Sequence, residues 1–121
     1  MEDSSPLRVF LSYARLDGSG LAEELSAGLE LLRFMPVMDK RDIAAAEDWE
    51  QRLDALIRQS DTVTFLLSPK SVQSSRCAWE VARAVALSKR IIPVVVAPVA
   101  ENEVPEALRK LNFIDFGPGQ S

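Results

Sequence analysis

Apolar residues along this chain follow two alternating patterns: short continuous runs, and longer stretches in which they recur every three or four positions. The short runs are rich in β-branched and aromatic residues and are bounded by Gly, Pro, Asp and Ser, which is typical of buried β-strands. They predict five strands, over residues 7–12, 34–38, 62–67, 91–96 and 112–116. The run over residues 62–67 (TVTFLL) is almost wholly apolar, which indicates a strand covered on both faces.

The longer stretches predict helices between these strands. The first helix follows turn signals at Asp17, Gly18 and Gly20. Its leucines recur at i, i+4, i+8 and i+11, namely Leu21, Leu25, Leu29 and Leu32. Further helices are predicted over residues 49–60, 75–88 and 104–111. Ser74 or Ser75 is expected to cap the helix that leads to residue 88.

Strands that alternate with helices form a parallel sheet covered on both faces, so the order of elements predicts a three-layer α/β/α domain with five parallel strands. Pro36 places the second strand at an edge, because proline cannot donate to a strand ladder. Pro93 fits the fourth strand poorly for the same reason. Ligands of such sheets bind beyond the carboxyl ends of the strands. The walls of that site are expected from residues 12–17, 39–47 and 68–75.

Composition narrows the function classes. A chain of 121 residues with 47% hydrophobic and 26% charged residues is typical of one globular domain. Its net charge of −4, without a basic patch, argues against nucleic-acid binding. One cysteine, Cys77, excludes an internal disulfide and fits a reducing compartment. The polar N-terminus and the short apolar runs predict neither a signal peptide nor a membrane span, so cytoplasm is the expected location.

The absence of histidine is the most restrictive feature of the composition. It excludes Ser-His-Asp and Cys-His triads, zinc held by histidine, and acid–base catalysis by imidazole. No metal site or bound cofactor is expected. Any catalysis here depends on carboxylates, hydroxyls, one thiol and backbone groups.

Four segments with the correct order and spacing resemble motifs of the TIR (Toll/interleukin-1 receptor) domain family, and the chain looks like a bacterial TIR domain of the NAD-hydrolase type. The segments are residues 9–13 (VFLSY), 38–49 with the so-called BB loop, 66–80 with the pattern LLSP…S-x-x-C-x-x-E, and 91–94 (IIPV). The resemblance covers residues 7–116 and implies a flavodoxin-like TIR fold. It also makes proline in the fourth strand an ordinary feature, although only by analogy.

Two departures from the family pattern stand out. The BB loop has three alanines, residues 44–46, where the family commonly has a glycine, so a turn that needs positive φ is not expected there. The family also ends in a helix after the fifth strand, whereas residues 117–121 (GPGQS) resemble a linker. We therefore expect a flexible N-terminus over residues 1–6, a TIR domain over 7–116 that lacks its last helix, and a downstream sensor domain.

The resemblance implies that NAD is the substrate and that Glu80 is the catalytic residue. Cleavage of the nicotinamide–ribose bond releases a neutral base from a cationic pyridinium, so it needs no proton donor. The enzyme must instead stabilise an oxocarbenium-like charge on the ribose, which one poorly solvated carboxylate can do. On a helical wheel Glu80 falls at the margin of the apolar stripe. The alternative is an exposed helix residue paired with Arg76 or Arg83.

Candidate nucleotide contacts follow the predicted strands. Tyr13, Ala14 and Arg15 follow the first strand, Asp39 the second and Ser68 the third. For Tyr13 and Arg15 the alternative is ordinary loop polarity. Asp39 is placed for a ribose hydroxyl, but it could equally cap its loop.

The aromatic and sulfur-containing candidates also have two interpretations. Trp49 belongs to the apolar stripe of its helix, and its ring could also form the floor of the pocket. Trp79 could stack on a base or on nicotinamide, although such a residue more often packs against a neighbouring subunit or domain. Cys77 is interpreted as a small buried hydrophobe, not as a nucleophile.

Four functions are alternatives for a domain of this kind. The first is NAD hydrolysis or cyclisation by an immune or cell-suicide effector that assembly activates. The second is a non-catalytic module that binds other TIR domains through residues 39–47. A phospho-receiver domain would need paired acids after the first strand and an aspartate ending the third, where this chain has Ser12-Tyr13 and Ser68-Pro69. A nucleoside deoxyribosyltransferase-like enzyme would differ mainly in its substrate.

Overall fold

The computed structural model describes residues 7–38 and 49–111 together with the backbone of residues 114–115. Its centre is a five-stranded parallel sheet in the order β2-β1-β3-β4-β5. The strands are β1 (Arg8–Ser12), β2 (Met35–Val37), β3 (Thr62–Leu67), β4 (Arg90–Val95) and β5 (Ile114–Asp115). The predicted fold class is confirmed.

The apolar strand β3 lies at the middle of the sheet, between β1 and β4. Pro36 belongs to the edge strand β2, as predicted. Pro93 lies within β4, opposite Phe65 of β3, and is fully buried. The described pairing of β4 with β5 involves Val94 and Val95, the two residues after the proline.

The helices are α1 (Arg15–Leu31), α2 (Trp49–Arg58), α3 (Ser75–Ala86) and α4 (Glu106–Arg109), with short 3-10 turns at Ser71–Gln73 and Glu101–Glu103. The prediction of a turn at Asp17, Gly18 and Gly20 is wrong, because α1 already includes all three residues. The Gly18 N–H donates to the Ala14 carbonyl at 2.8 Å and closes the first helical turn. The helix predicted over residues 104–111 is shorter, since Pro105 precedes its first residue.

Two apolar layers cover the sheet on opposite faces. The larger layer joins side chains of β1 and β3 to α2, α3 and α4, through Phe10, Leu53, Ile57, Val63, Phe65, Leu67, Val81, Ala84, Val104 and Leu108. The smaller layer joins Ala22 of α1 to Leu66 and Val94. Leu66 and its neighbour Leu67 therefore belong to different layers, as the alternation of side chains along a strand requires.

The α1 side of the sheet carries an open groove of about 340 Å³, lined among others by Leu21, Leu25 and Val94.

The expectation that the last helix of the family is missing concerns residues that follow Asp115. These residues, like residues 1–6, lie outside those that the structure describes, so both expectations remain predictions. None of the helices described is long and apolar enough to cross a membrane.

An ionic contact joins α2 to α3 at the surface. The Arg58 Nε donates to the Asp54 Oδ2 at 2.6 Å, and the Arg83 Nε donates to the other oxygen of the same carboxylate. The hydrogen bond from Arg58 is the largest cause that lowers the pKa of Asp54 below its usual value of 3.8; burial opposes it, and the hydrogen bond from Arg83 lowers the pKa further. Asp54 therefore ties two consecutive helices together as long as it is ionised.

We expect Asp54→Asn to lower the free energy of unfolding at pH 7 by about 1 kcal/mol, the upper range for partly exposed ion pairs. Because folding lowers this pKa, the stabilisation is present above the ordinary aspartate pKa and disappears as the pH falls through the lowered value. Urea unfolding at pH 7 and near pH 3 measures the difference. Glu30→Gln, which removes an exposed carboxylate of α1, is the control. A difference between wild type and Asp54→Asn that is equal at both pH values contradicts the assignment.

Candidate functional site

A cleft of about 380 Å³ opens beside the carboxyl end of β1. One wall is formed by residues between 10 and 16, where β1 passes into α1, and the other by residues between 70 and 80, where the chain enters α3. The position beyond the strand ends agrees with the site predicted from the sequence. The third predicted wall, residues 39–47, lies outside the described part of the chain.

Glu80 lies at the base of this cleft and is only 3% exposed. It follows Cys77 by three residues and precedes Val81 and Ala84, so the helical period brings it to the edge of the buried stripe of α3. The Ser12 hydroxyl, at the last position of β1, donates to the Glu80 Oε1 at 2.5 Å. The interpretation of Glu80 as an exposed helix residue is therefore wrong.

Arg76 partly balances the charge of Glu80. Its Nε lies 3.8 Å from the Glu80 Oε2, one helical turn away on α3. That distance is too long for a hydrogen bond but short enough for an attractive electrostatic contact. The predicted pairing with Arg76 is thus present, whereas Arg83 binds Asp54 instead.

Cys77 is buried beside Glu80 and also lines the cleft. Burial, and after it the negative charge of Glu80, raises the pKa of the Cys77 thiol, while hydrogen bonds with Ser74 and Ser12 oppose the shift. Ser74 also caps α3, because its Oγ accepts the Cys77 N–H at 3.1 Å. A protonated buried thiol is a poor nucleophile, which confirms the interpretation of Cys77 as a small buried side chain.

Asp17 joins the two walls of the cleft. Its Oδ1 accepts from the Ser68 Oγ at 2.7 Å and its Oδ2 accepts from the Lys70 backbone N–H at 3.0 Å. Ser68 and Ser71 are bonded to each other, with the Ser68 N–H donating to the Ser71 Oγ at 2.9 Å. The segment after β3 is therefore fixed against the first turn of α1.

Only some of the predicted nucleotide contacts line the cleft. Tyr13, Ala14 and Arg15 line the cleft. Ser68 does not, because it is fully buried and its hydroxyl donates to Asp17. Asp39 lies outside the described residues and remains a prediction.

The two tryptophans pack against each other. The ring centroids of Trp49 and Trp79 are 5.5 Å apart with an angle of 71° between the planes, an edge-to-face contact between α2 and α3. Both rings also pack against the larger apolar layer, and neither is among the residues that line the cleft. For Trp49 the core interpretation is confirmed. Trp79 is not placed to stack on a ligand in this cleft, because it packs on Trp49.

The sequence did not predict the roles of three residues of the site. Ser12 is the partner of Glu80, Asp17 links the two walls, and Lys70 is a side chain that lines the cleft. Ser12 and Asp17 both lie where β1 meets α1, and this position was the only signal in the sequence. Their partners are 51 to 68 positions away, so only the folded chain brings them together.

The charges around the cleft are distributed unevenly. Three basic side chains line it (Arg15, Lys70 and Arg76), whereas Glu80 is the one acid among the described lining residues. A deeply placed carboxylate in a site with little water can stabilise a positive charge that develops in front of it. The described residues include no group of three acidic or sulfur ligands that could hold a metal ion.

Solved structures with the same fold include TIR domains and a glycosidase. The TIR domain of a Toll-related receptor from Hydra magnipapillata is 22% identical, with a TM-score of 0.74 over 89% of this chain and 82% of that one. A metazoan TIR-STING receptor from C. gigas is 25% identical, with a TM-score of 0.71 over 88% of this chain and 36% of that one. A CMP N-glycosidase from Clostridium botulinum is 22% identical, with a TM-score of 0.61 over 91% of this chain and 84% of that one.

These identities are low, and the likeness by itself concerns the fold. No curated protein matches the sequence. The family model of the TIR domain, however, matches residues 9–121, which is nearly the whole chain. The chain therefore belongs to the TIR domain family.

Proposed function

We propose that this TIR domain cleaves NAD at the nicotinamide–ribose bond, as a glycohydrolase or cyclase with Glu80 as its catalytic residue. The observation that carries the proposal is the position of Glu80, 3% exposed at the base of an open cleft and bonded to Ser12. Burying a carboxylate costs free energy of desolvation, which an exposed residue on a helix avoids. The placement of Glu80 beside a cavity therefore favours a chemical role over a structural one.

The reaction suits a site of this composition. The bond between the ribose carbon and the pyridinium nitrogen breaks, its electron pair goes to the nitrogen, and nicotinamide leaves as a neutral molecule. A water molecule then adds to the ribose carbon and loses a proton, or a nucleophile of the substrate itself closes a ring. The positive charge on the ribose is greatest between these events, and Glu80 stabilises it there. The chain contains no histidine, and this chemistry needs none.

Ser12 keeps the carboxylate in place. Its hydroxyl donates to the Glu80 Oε1 from the end of β1, and Arg76 approaches the Oε2 from the same helix. A hydrogen bond from a rigid strand fixes the direction of the carboxylate and satisfies one of its buried oxygens. Ser12 is a positioning residue in this proposal.

The relatives favour the same class of reaction and a role in immunity. One neighbour in fold is a CMP N-glycosidase, whose name describes cleavage of another N-glycosidic bond. The TIR domains of the activated Roq1 resistosome are also neighbours in fold, with 19% identity and a TM-score of 0.65 over 81% of this chain and 61% of the resistosome chain. We place the NAD-cleaving activity in a bacterial immune or cell-suicide effector that TIR–TIR assembly switches on.

Glu80→Gln is expected to lower the rate of nicotinamide release from NAD by at least about 100-fold, the usual loss when a group that stabilises transition-state charge is removed. Glutamine keeps the size and can still accept from Ser12, but it carries no charge. Chromatography of concentrated protein incubated with NAD measures the release. Glu106→Gln on the exposed α4 is the control and should keep the wild-type rate. Release that survives in Glu80→Gln would refute the role of Glu80.

Ser12→Ala is expected to lower kcat for NAD about tenfold while KM changes little, because one charge-assisted hydrogen bond to the catalytic carboxylate is lost and no substrate contact is. Ser12→Thr, which keeps the hydroxyl, should recover part of the rate. Steady-state kinetics gives both constants, and thermal unfolding checks that the variants are folded. An unchanged kcat in folded Ser12→Ala contradicts the positioning role.

Activity per molecule is expected to rise from dilute to crowded protein, since the proposed effector is active when assembled. Nicotinamide release at increasing protein concentration, with and without a crowding agent, measures this dependence. A constant activity per molecule argues against activation by assembly. No release even from assembled protein favours the alternative function, a TIR–TIR interaction module without catalysis, to which the resistosome neighbour also points.

A further inference from the structure

We infer that the cleft favours substrates that carry a phosphate next to the ribose, with Lys70 as the residue that recognises it, so that nicotinamide mononucleotide is cleaved more efficiently than nicotinamide riboside. The inference rests on the proposed function, because it names the substrate class of the same cleft. It extends that function from a dinucleotide to nucleoside monophosphates and makes free nucleosides poor substrates.

The first argument is the charge of the rim. Although the chain has a net charge of −4, the described residues that line the cleft include three cations and one anion. Arg76 is engaged with Glu80 at the base. Arg15 and Lys70 belong to opposite walls, Arg15 to the first turn of α1 and Lys70 to the turn after β3. A ligand that extends from Glu80 towards the rim meets positive charge from both walls.

The start of α1 adds to this charge. Ala14, the residue before the helix, lines the cleft and has no side-chain oxygen that could cap the helix. The positive end of the dipole of this helix of 17 residues therefore lies at the cleft, where Asp17 in the first turn offsets part of it. Together with basic side chains, such a helix end favours an anion.

Lys70 is the best-placed side chain for recognising that anion. Its backbone N–H is held by the Asp17 Oδ2 at 3.0 Å, so the lysine leaves the chain at a fixed point on the rim. Both oxygens of Asp17 already accept from Ser68 and from this N–H. Within the described part of the chain, none of the ion pairs involves the Lys70 ammonium. This ammonium is thus available for a charge-assisted bond to a phosphate.

The substrate geometry identifies which phosphate is recognised. With the scissile carbon in front of Glu80, the nearest phosphate is the one on the same ribose, which NAD and nicotinamide mononucleotide share and the riboside lacks. The cleft volume of about 380 Å³ lies within the range of small-molecule sites. A single phosphate at the rim is sufficient for this recognition, and the second half of a dinucleotide is not required.

The kinetic experiment compares two substrates that have the same scissile bond. For the wild-type protein we expect kcat/KM for nicotinamide mononucleotide to exceed that for the riboside by at least about tenfold, the usual effect of one charge-assisted bond. Lys70→Met should remove this preference by lowering the value for the mononucleotide about tenfold, whereas Lys70→Arg should keep most of it. Lys110→Met, at an exposed position after α4, is the matched control.

Binding to Glu80→Gln gives a readout that does not depend on turnover. Titration calorimetry should show tighter binding of the mononucleotide than of the riboside, and the additional substitution Lys70→Met should remove that difference. Inorganic phosphate should compete with the mononucleotide only while Lys70 is present. Equal affinity for the mononucleotide and the riboside overturns the inference.

The two proposals fail separately. If NAD is cleaved but the riboside is cleaved as well as the mononucleotide, phosphate selection is wrong and the proposed function stands. Competition of free nucleosides with NAD for the cleft would then identify a nucleoside-processing enzyme. If nothing is cleaved but the phosphate-dependent binding and its loss in Lys70→Met are found, phosphate selection stands and the proposed reaction fails.

Discussion

The hydrogen bond between Ser12 and Glu80 is the contact on which the site and part of the fold depend. A carboxylate that is 3% exposed loses most of its hydration, and the structure compensates with a hydroxyl donor at 2.5 Å and a guanidinium at 3.8 Å. Because Ser12 ends β1 and Glu80 belongs to α3, the bond also connects the sheet to a helix 68 positions further along the chain. An apolar residue at position 80 would avoid the desolvation cost, so the arrangement is better explained by chemistry than by stability.

Asp17 provides the second connection across the cleft, at its rim and not at its base. Glu80 is bonded at the buried base, whereas Asp17 is exposed and holds Ser68 and the Lys70 backbone at the rim. The two walls, one from β1 and α1 and the other from β3 and α3, are thus joined at both levels. A cleft whose walls are fixed in this way keeps its catalytic and binding groups at a constant separation, which favours a preorganised site.

The apolar runs predicted the sheet well, because a buried parallel strand leaves a continuous run in the sequence, as residues 62–67 do. The start of α1 could not be predicted in the same way. Asp17 and Gly18 are ordinary turn residues, but the hydrogen bonds that Asp17 accepts from residues 51 and 53 positions away favour the helix.

The site was predicted only in part for the same physical reason. The apolar stripe of α3 placed Glu80 at the edge of a buried surface, and the structure agrees. Two features of the site depend on contacts between distant elements: the wall that supplies the hydrogen-bond donor of Glu80, and the packing of Trp79 on Trp49. Local periodicity contains no information about such contacts.

The distribution of charge in the cleft gives the two proposals a common basis. Nicotinamide nucleotides carry a positive pyridinium at the scissile bond and a negative phosphate on the other side of the ribose. The cleft has the opposite order, with Glu80, whose charge Arg76 partly balances, at the base and Arg15 and Lys70 towards the opening. Such a match orients the ligand before any bond breaks, since the reversed orientation would bring like charges together at both ends. In the proposed reaction the positive charge then moves from the pyridinium to the ribose carbon, nearer to the carboxylate that is already in place, so the arrangement proposed to orient the substrate would also lower the barrier.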